Sequence, residues 1–341
     1  MKKFLTVWGL LLFISITSYS QEKKYALYSV AFYNLENLFD TIHDAGKNDY
    51  LPNGKNKWNS MKYEAKLKNM SEILSQLSTD KLPLGPTIIG MSEVENRRVL
   101  EDLLKQPALS DRGYEIVHYE GPDRRGVDCA FFYNPKFFHL TASKLAPYIY
   151  ENNDTTYKTR GFLIASGTLA GEKVHFIVNH WPSRAAASPA RERAGEQVRA
   201  LKDSLLNEDS NAKVIIMGDM NDDPMDKSMA VALGAKRKAQ DTKEHDLYNP
   251  WWDTLKKGNG TLMYDGKWNL FDQIVFTGNL LGNDRSTLKY YRNEIFRRDY
   301  MFQKEGKYKG YPKRTHAGGV WLNGYSDHLP TIIYLIKEIK D

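Results

Sequence analysis

Carboxylates, amides and histidines recur in this chain at one kind of position, at or just past the end of an apolar, strand-like run. Asn34 and Glu36 follow Val30-Ala31-Phe32-Tyr33, Glu93 follows Ile88-Ile89-Gly90-Met91, and His180 follows Phe176-Ile177-Val178-Asn179. Asp219 and Asn221 follow Val214-Ile215-Ile216-Met217-Gly218, Asp272 opens Phe271–Phe276, and Asp327 and His328 precede Leu329-Pro330-Thr331. Carboxylate and amide oxygens suit a hard divalent cation, Mg²⁺ or Mn²⁺ with Ca²⁺ as the alternative. A histidine beside a carboxylate holds or moves a proton near neutral pH. No Ser or Cys lies in a nucleophile motif, so water is the expected attacking group, and no Cys/His cluster argues for structural zinc. Singly, each residue has a structural reading: Asn34 as a turn residue, Gly218-Asp219 as a turn with a helix cap, His180 as a core-edge histidine bonded to backbone.

The elements that must position these residues are short and mixed. Strand-like runs occur at Tyr28–Tyr33, Thr87–Gly90, Tyr114–Tyr119, Asp128–Tyr133, Phe162–Leu169, Val174–Val178, Val214–Met217, Leu270–Phe276 and Thr331–Ile336. One-sided apolar stripes predict helices over Lys62–Leu77 and Arg191–Leu206. Such an order is neither a strict βαβ repeat nor all-β, and it suits sheets packed on each other with helices outside. Thr41–Asn59 and Asn279–Gly319 read as long polar loops, the second interrupted by a weak helix or short strands. Strand ends of a sheet sandwich gather side chains at one rim, where ligands commonly bind.

The 341 residues are 41% hydrophobic and 26% charged, enough for a sizeable core without disulfides. The single Cys129 lies in an apolar run and is expected to pack. Lys2 and Lys3, the apolar run from Phe4 to about Ile16 and the small polar residues to Ser20 predict a signal peptide over residues 1–20, cleaved near Ser20. Residues 21–341 then form a single exported domain, periplasmic or extracellular, with no stable membrane span and expected as a monomer. The formal charge is +6, of which Lys2 and Lys3 contribute two, so composition supports an anionic partner only weakly.

Seven ordered segments resemble the endonuclease/exonuclease/phosphatase superfamily over roughly Ser29 to Ile336. They are Phe32-Tyr33-Asn34-Leu35-Glu36-Asn37, Ser92-Glu93-Val94-Glu95-Asn96, Arg125-Gly126-Val127-Asp128, Asn179-His180-Trp181-Pro182-Ser183-Arg184, Gly218-Asp219-Met220-Asn221-Asp222, Phe271-Asp272-Gln273-Ile274 and Ser326-Asp327-His328-Leu329-Pro330. The resemblance implies a four-layer α/β/β/α sandwich of two mixed sheets flanked by helices. It implies Glu93 as main metal ligand, supported by Asn34 and Asp327. It implies Asp219 as the residue that orients or deprotonates water, Asn221 beside the phosphate, and His328 at the scissile phosphate with Asp272 as its carboxylate partner. His180 matches a general acid of the deoxyribonuclease I branch, and Asp128, slightly displaced from the family's spacing, is its expected partner. Arg125, Arg160 and Arg184 are the expected phosphate contacts.

The implied activity is metal-dependent hydrolysis of a phosphate ester, foremost as a nuclease acting on DNA or RNA. The alternative is a phosphatase or a lipid phosphodiesterase of the sphingomyelinase kind, and a non-catalytic binding module is the reading from another class. Lys289–Arg314 mixes basic and aromatic residues, which fits nucleic acid, an anionic lipid headgroup, a sugar phosphate or a solvated loop.

Overall fold

The apolar runs assemble into two facing sheets in the computed structural model, which describes residues 23–44, 48–151 and 158–339. The six-stranded sheet runs in the order β14 (Lys289–Ile295), β17 (Thr331–Glu338), β1 (Tyr25–Leu38), β2 (Ile88–Val94), β4 (Asp128–Tyr133), β3 (Glu115–His118). The seven-stranded sheet runs β5 (Phe138–Ala146), β6 (Phe162–Leu169), β7 (Glu172–His180), β8 (Lys213–Asp219), β13 (Asp272–Thr277), β10 (Leu247–Tyr248), β9 (Ala235–Lys236). Two small hairpins, β11 (Leu262–Tyr264) with β12 (Lys267–Asn269) and β15 (His316–Ala317) with β16 (Val320–Trp321), complete the strands described. The predicted signal segment lies outside the described residues. Among the described residues no helix is long and apolar enough to cross a membrane.

Alternation along each strand sends side chains to opposite faces and makes three cores. Val30, Phe32, Phe131, Phe176, Met217 and Ile333 meet between the sheets. Ala31, Tyr33 and Ile332 face outward onto Leu67, Met70 and Ile73 of α1 (Ser60–Gln76) and Leu103 of α2 (Arg97–Leu104). Ile177, Val214 and Ile216 face the other way onto Val198 and Leu205 of α3 (Ser188–Glu208). This is the expected four-layer sandwich. Complete burial of a side chain such as Phe176 or Ile216 stabilises by about 1.5–3 kcal/mol, set against the entropy of ordering it. Cys129 is buried in β4 between the sheets, in agreement with a packing role.

The strand directions explain why the chemistry gathers at one rim. β1 and β2 are parallel, as are β7 and β8, so the C-terminal ends of all four carry Asn34, Glu93, His180 and Asp219 to the same side. β13 and β17 run antiparallel to β8 and β1, so their beginnings lie there too, with Asp272 in register with Asp219.

Within Asn279–Gly319 the interrupting strand is β14, which pairs along β17 at the sheet edge, where partial solvation weakens the apolar signal. α2 and β5 were not anticipated. α2 starts where the Asn96 side chain accepts from Val99 N at 3.1 Å, and β5 is an edge strand with much of its length exposed.

Gly218 sits opposite Asn179 in the parallel pairing, and a Cβ there would lie 2.6 Å from Asn179 Cβ and also meet the Asn179 carbonyl. Gly218→Ala should therefore cost about 1–3 kcal/mol. Urea unfolding checks this, and an unchanged midpoint would refute the close approach.

Candidate active site

Asp219 and His328 are the centre of the rim. His328 Nδ1 lies 2.7 Å from Asp272 Oδ2, both buried, and its backbone N donates to Ser326 Oγ, whose hydroxyl donates to Asn34 O at 2.7 Å. Nδ1 therefore carries the proton toward Asp272, and Nε2 faces the rim 3.9 Å from Asp219 Oδ2. Burial opposes charge on this ring, but the Asp272 and Asp219 carboxylates outweigh it and hold the imidazolium pKa well above its usual value. Asp272 Oδ1 is buried without a hydrogen-bond partner, which adds to the pull on that cation.

Asp219 accepts from Asn34 Nδ2 at 3.0 Å and from Asn221 N at 2.9 Å. Burial raises its carboxyl to about 6; the positive His328 pulls it back down, and Asp272 and Glu93 add repulsion. Glu93 is buried, yet Arg125 overcomes the desolvation and holds it below the ordinary carboxylate range. It accepts from Arg125 Nη2 and from Asn37 N, each at 3.0 Å. His180 Nε2 lies 3.8 Å from Glu93 Oε1 and 3.7 Å from Asp219 Oδ2. Burial and the neighbouring Arg160 and Arg125 push its pKa well below the usual value, so this imidazole is neutral.

Glu93, Asp219, Asn221, His180 and His328 line one cavity of about 400 Å³. Four residues of this rim and its approach are left-handed without being glycine: Glu36 (φ 48°), Asn37 (φ 55°), Glu93 (φ 61°) and Asn221 (φ 51°). Such backbone costs energy and concentrates where side chains must be aimed.

Other expected residues have different neighbours. Asp128 does not reach His180: its Oδ2 lies 3.3 Å from His118 Nε2 and its Oδ1 accepts from Gly121 N. His180 Nδ1 instead is buried with no hydrogen-bond partner. Arg160 lines the cavity, and three of its N–H donors go to Asp123 Oδ2, His180 O and Trp181 O, so it also braces the rim. Arg184 lies over Phe271 and within 3.4 Å of Asp222, Asp223 and Asp226, which neutralise it outside the cavity lining. The Asn221 amide donates to Trp181 O. Asp327 turns Oδ2 to Arg314 at 2.7 Å and keeps Oδ1 4.0 Å from His328 Nε2.

Several residues were not singled out from the sequence. Arg124 and Lys158 line the cavity beside Arg125, and Asp123 pairs Arg160. The run Asp123-Arg124-Arg125-Gly126 was a legible signal for the first. Glu36, noted at a strand end but given no role, is pushed up to about 7 by burial and by Asp327, and it accepts from Arg314 Nε and Thr315 N. Lys66, a charge in the buried stripe of α1, donates to Thr315 Oγ1 and Tyr325 O. The basic residues of Lys289–Arg314 do not form one groove. Lys289 lines a cavity with Glu172 and Lys213, Arg292 pairs with Glu294, Arg297 stacks over Trp268, and Arg314 pairs with Glu36 and Asp327.

The donor chemistry fits a hard divalent ion. Glu93 is held below the ordinary carboxylate range, the Asp219 carboxylate is destabilised by burial and then by neighbouring carboxylates, and Asn34 Oδ1, which accepts from Glu36 N, keeps a second lone pair. Ligand atoms of Asp219, Asp272 and His328 also lie within 4.8 Å of one another, but the His328–Asp272 hydrogen bond already accounts for that pair.

A family model described as endonuclease/exonuclease/phosphatase family matches residues 29–337. No curated protein matches the chain by sequence. An endonuclease/exonuclease/phosphatase family protein from Bacteroides thetaiotaomicron has a similar fold, at 16% identity and TM-score 0.57, covering 93% of this chain and 100% of that one. A mannosyl-6-phosphatase from the same organism is similar at 16% identity and TM-score 0.53, covering 90% and 99%. D. rerio TDP2 complexed with single strand DNA product is similar at 15% identity and TM-score 0.53, covering 91% and 99%.

Two outcomes follow from this geometry. Asp272→Asn should lower the His328 pKa, cut kcat by about 10²–10⁴ and move the alkaline limb of the rate profile to lower pH; an unmoved limb would separate the pair from catalysis. Arg160→Met leaves the buried Asp123 carboxylate with only Arg125 N and the more distant Arg125 Nε, and should cost about 1–3 kcal/mol in urea unfolding; a loss near zero would show that the brace is not structural.

Proposed function

The chain belongs to the endonuclease/exonuclease/phosphatase family, and on that premise we propose that it hydrolyses phosphate esters with water as nucleophile and a divalent ion as cofactor. One observation carries the reading: Glu93, Asp219, His180 and His328, distant in sequence, line a single cavity. Glu93, with Asn34 and Asp327 in support, would hold Mg²⁺ or Mn²⁺. When bound, such an ion polarises the phosphoryl oxygen and eases departure of the alkoxide. The protein's own groups do the rest. Asp219, carrying a carboxyl near 6 and fixed by Asn34 and Asn221, orients water and accepts its proton. His328, held positive by Asp272, donates Nε2–H to a phosphate oxygen as charge builds there. Neutral His180, with the proton on Nε2, supplies a second donor at the rim.

Within that class we read the substrate first as a nucleic acid. Arg124, Arg125 and Lys158 at the cavity favour a chain of phosphates, and the fold similarity to a TDP2 bound to single strand DNA product supports the same reading. A phosphomonoester is the second reading, supported by the similarity to a mannosyl-6-phosphatase and by the scattering of the Lys289–Arg314 cations. Export is likewise a proposal, resting on Lys2, Lys3 and the apolar run that follows.

Turnover of bis-p-nitrophenyl phosphate, with Mg²⁺ and Mn²⁺ tried separately, tests the proposal. Asp219→Asn and His328→Ala should each lower kcat by about 10²–10⁴ without changing the unfolding midpoint much. Glu93→Gln should raise the metal concentration needed for half-maximal rate. Near-normal rates in the first two variants, or unaltered metal dependence in the third, would rule out the assigned roles.

A further inference from the structure

A second, larger cavity of about 890 Å³ opens on the other side of His328, with Asp327 and His328 in its lining. Its walls come from the β11–β12 hairpin and from the chain between residues 303 and 322. The hairpin is registered to the reacting centre by backbone: Leu262 bridges His328 itself, and Leu329 N donates to Thr261 O at 2.8 Å. Gly266 N donates to Tyr311 Oη at 2.6 Å and ties the two walls together. Tyr264, 76% exposed, and Tyr308, 47% exposed, stand at this cavity with Met263, and Tyr308 meets Tyr311 edge to face. Large aromatic rings left this open beside a reactive histidine offer faces to a flat partner.

The charge differs between the two sides. The cavity with Glu93 has Arg124, Arg125 and Lys158 around it. In the larger cavity Lys307 is set against Asp265 and Glu305, while Arg314 is already paired with Glu36 and Asp327. No excess of positive charge remains there to draw further phosphates. Resting on the phosphoesterase reading above, we infer that the β11–β12 cavity is the subsite for the uncharged ring of the ester's alcohol, a nucleobase or a sugar ring stacked on Tyr264 and Tyr308. The polar Gln303, Asp265 and Glu305 supply edge hydrogen bonds to such a ring. The phosphate lies at His328, between the aromatic side and the basic side.

Calorimetric titration of the full chain with adenosine and, separately, methyl α-glucoside tests this without needing turnover. One of the two should bind in the millimolar range, and which one identifies the ring. Tyr264→Ala with Tyr308→Ala should weaken that binding by about tenfold or more, while the paired Phe substitutions should restore it. The same Ala variant should raise KM for bis-p-nitrophenyl phosphate, whose rings can stack, and leave kcat within about twofold. Failure of both compounds to bind, or binding that the Ala variant leaves unchanged, would overturn the subsite. Absence of turnover in the wild type, with ring binding intact, would instead sink the hydrolase reading.

Discussion

Asn34 belongs to one sheet and Asp219 to the other, and the buried 3.0 Å hydrogen bond between their side chains fixes how the two halves of the site meet. The amide cannot swing away cheaply. Its oxygen accepts from Glu36 N, its backbone carbonyl accepts from Ser326 Oγ, and Ser326 Oγ in turn accepts from His328 N. One residue on β1 thus positions the acidic residue of the opposite sheet and the loop carrying the histidine. A buried donor left without its acceptor costs about 1–3 kcal/mol, so each member of this chain of bonds holds the others.

The same crowding that orders the rim loads it with charge. Glu36, Glu93, Asp219, Asp272 and Asp327 are concentrated there, answered by Arg125, Arg314 and His328. The compensation is unequal by design of the packing: Glu93 has a guanidinium and stays ionised, whereas Asp219 has amides and a histidine and is pushed up to about 6. Two carboxylates with different proton affinities in one cavity can do two jobs, one holding a cation and one exchanging a proton. The left-handed backbone at Glu36, Asn37, Glu93 and Asn221 is the strain of aiming them, tolerated because the strands behind are paired on both sides.

Much of this was legible beforehand. Strands buried on both faces read as near-continuous apolar runs, so β1, β2, β7, β8, β13 and β17 stood out, and the polar residues at their ends stood out with them. Edge strands carry solvated faces and a weaker signal, which is why β5 was missed and β14 was legible only as an unplaced interruption of a loop. Lys66 was hidden for the opposite reason: a lysine in an apolar stripe looks like a solvated neighbour until its partners, Thr315 and Tyr325, arrive from far along the chain.

The amino-acid order alone determined the sandwich, the rim, and the kinds of group that stand on it, because alternation and apolar runs are local properties. It did not determine who pairs with whom. Asp128 went to His118, Arg160 to Asp123, and Arg184 to the carboxylates after Asn221, each a partnership decided by register and loop packing. The second cavity is of that kind too, since it exists only where a hairpin near residue 264 is pinned against a loop near residue 308. Pairing of charges and closure of a pocket are non-local, set by distances of a few ångströms that only the folded chain defines.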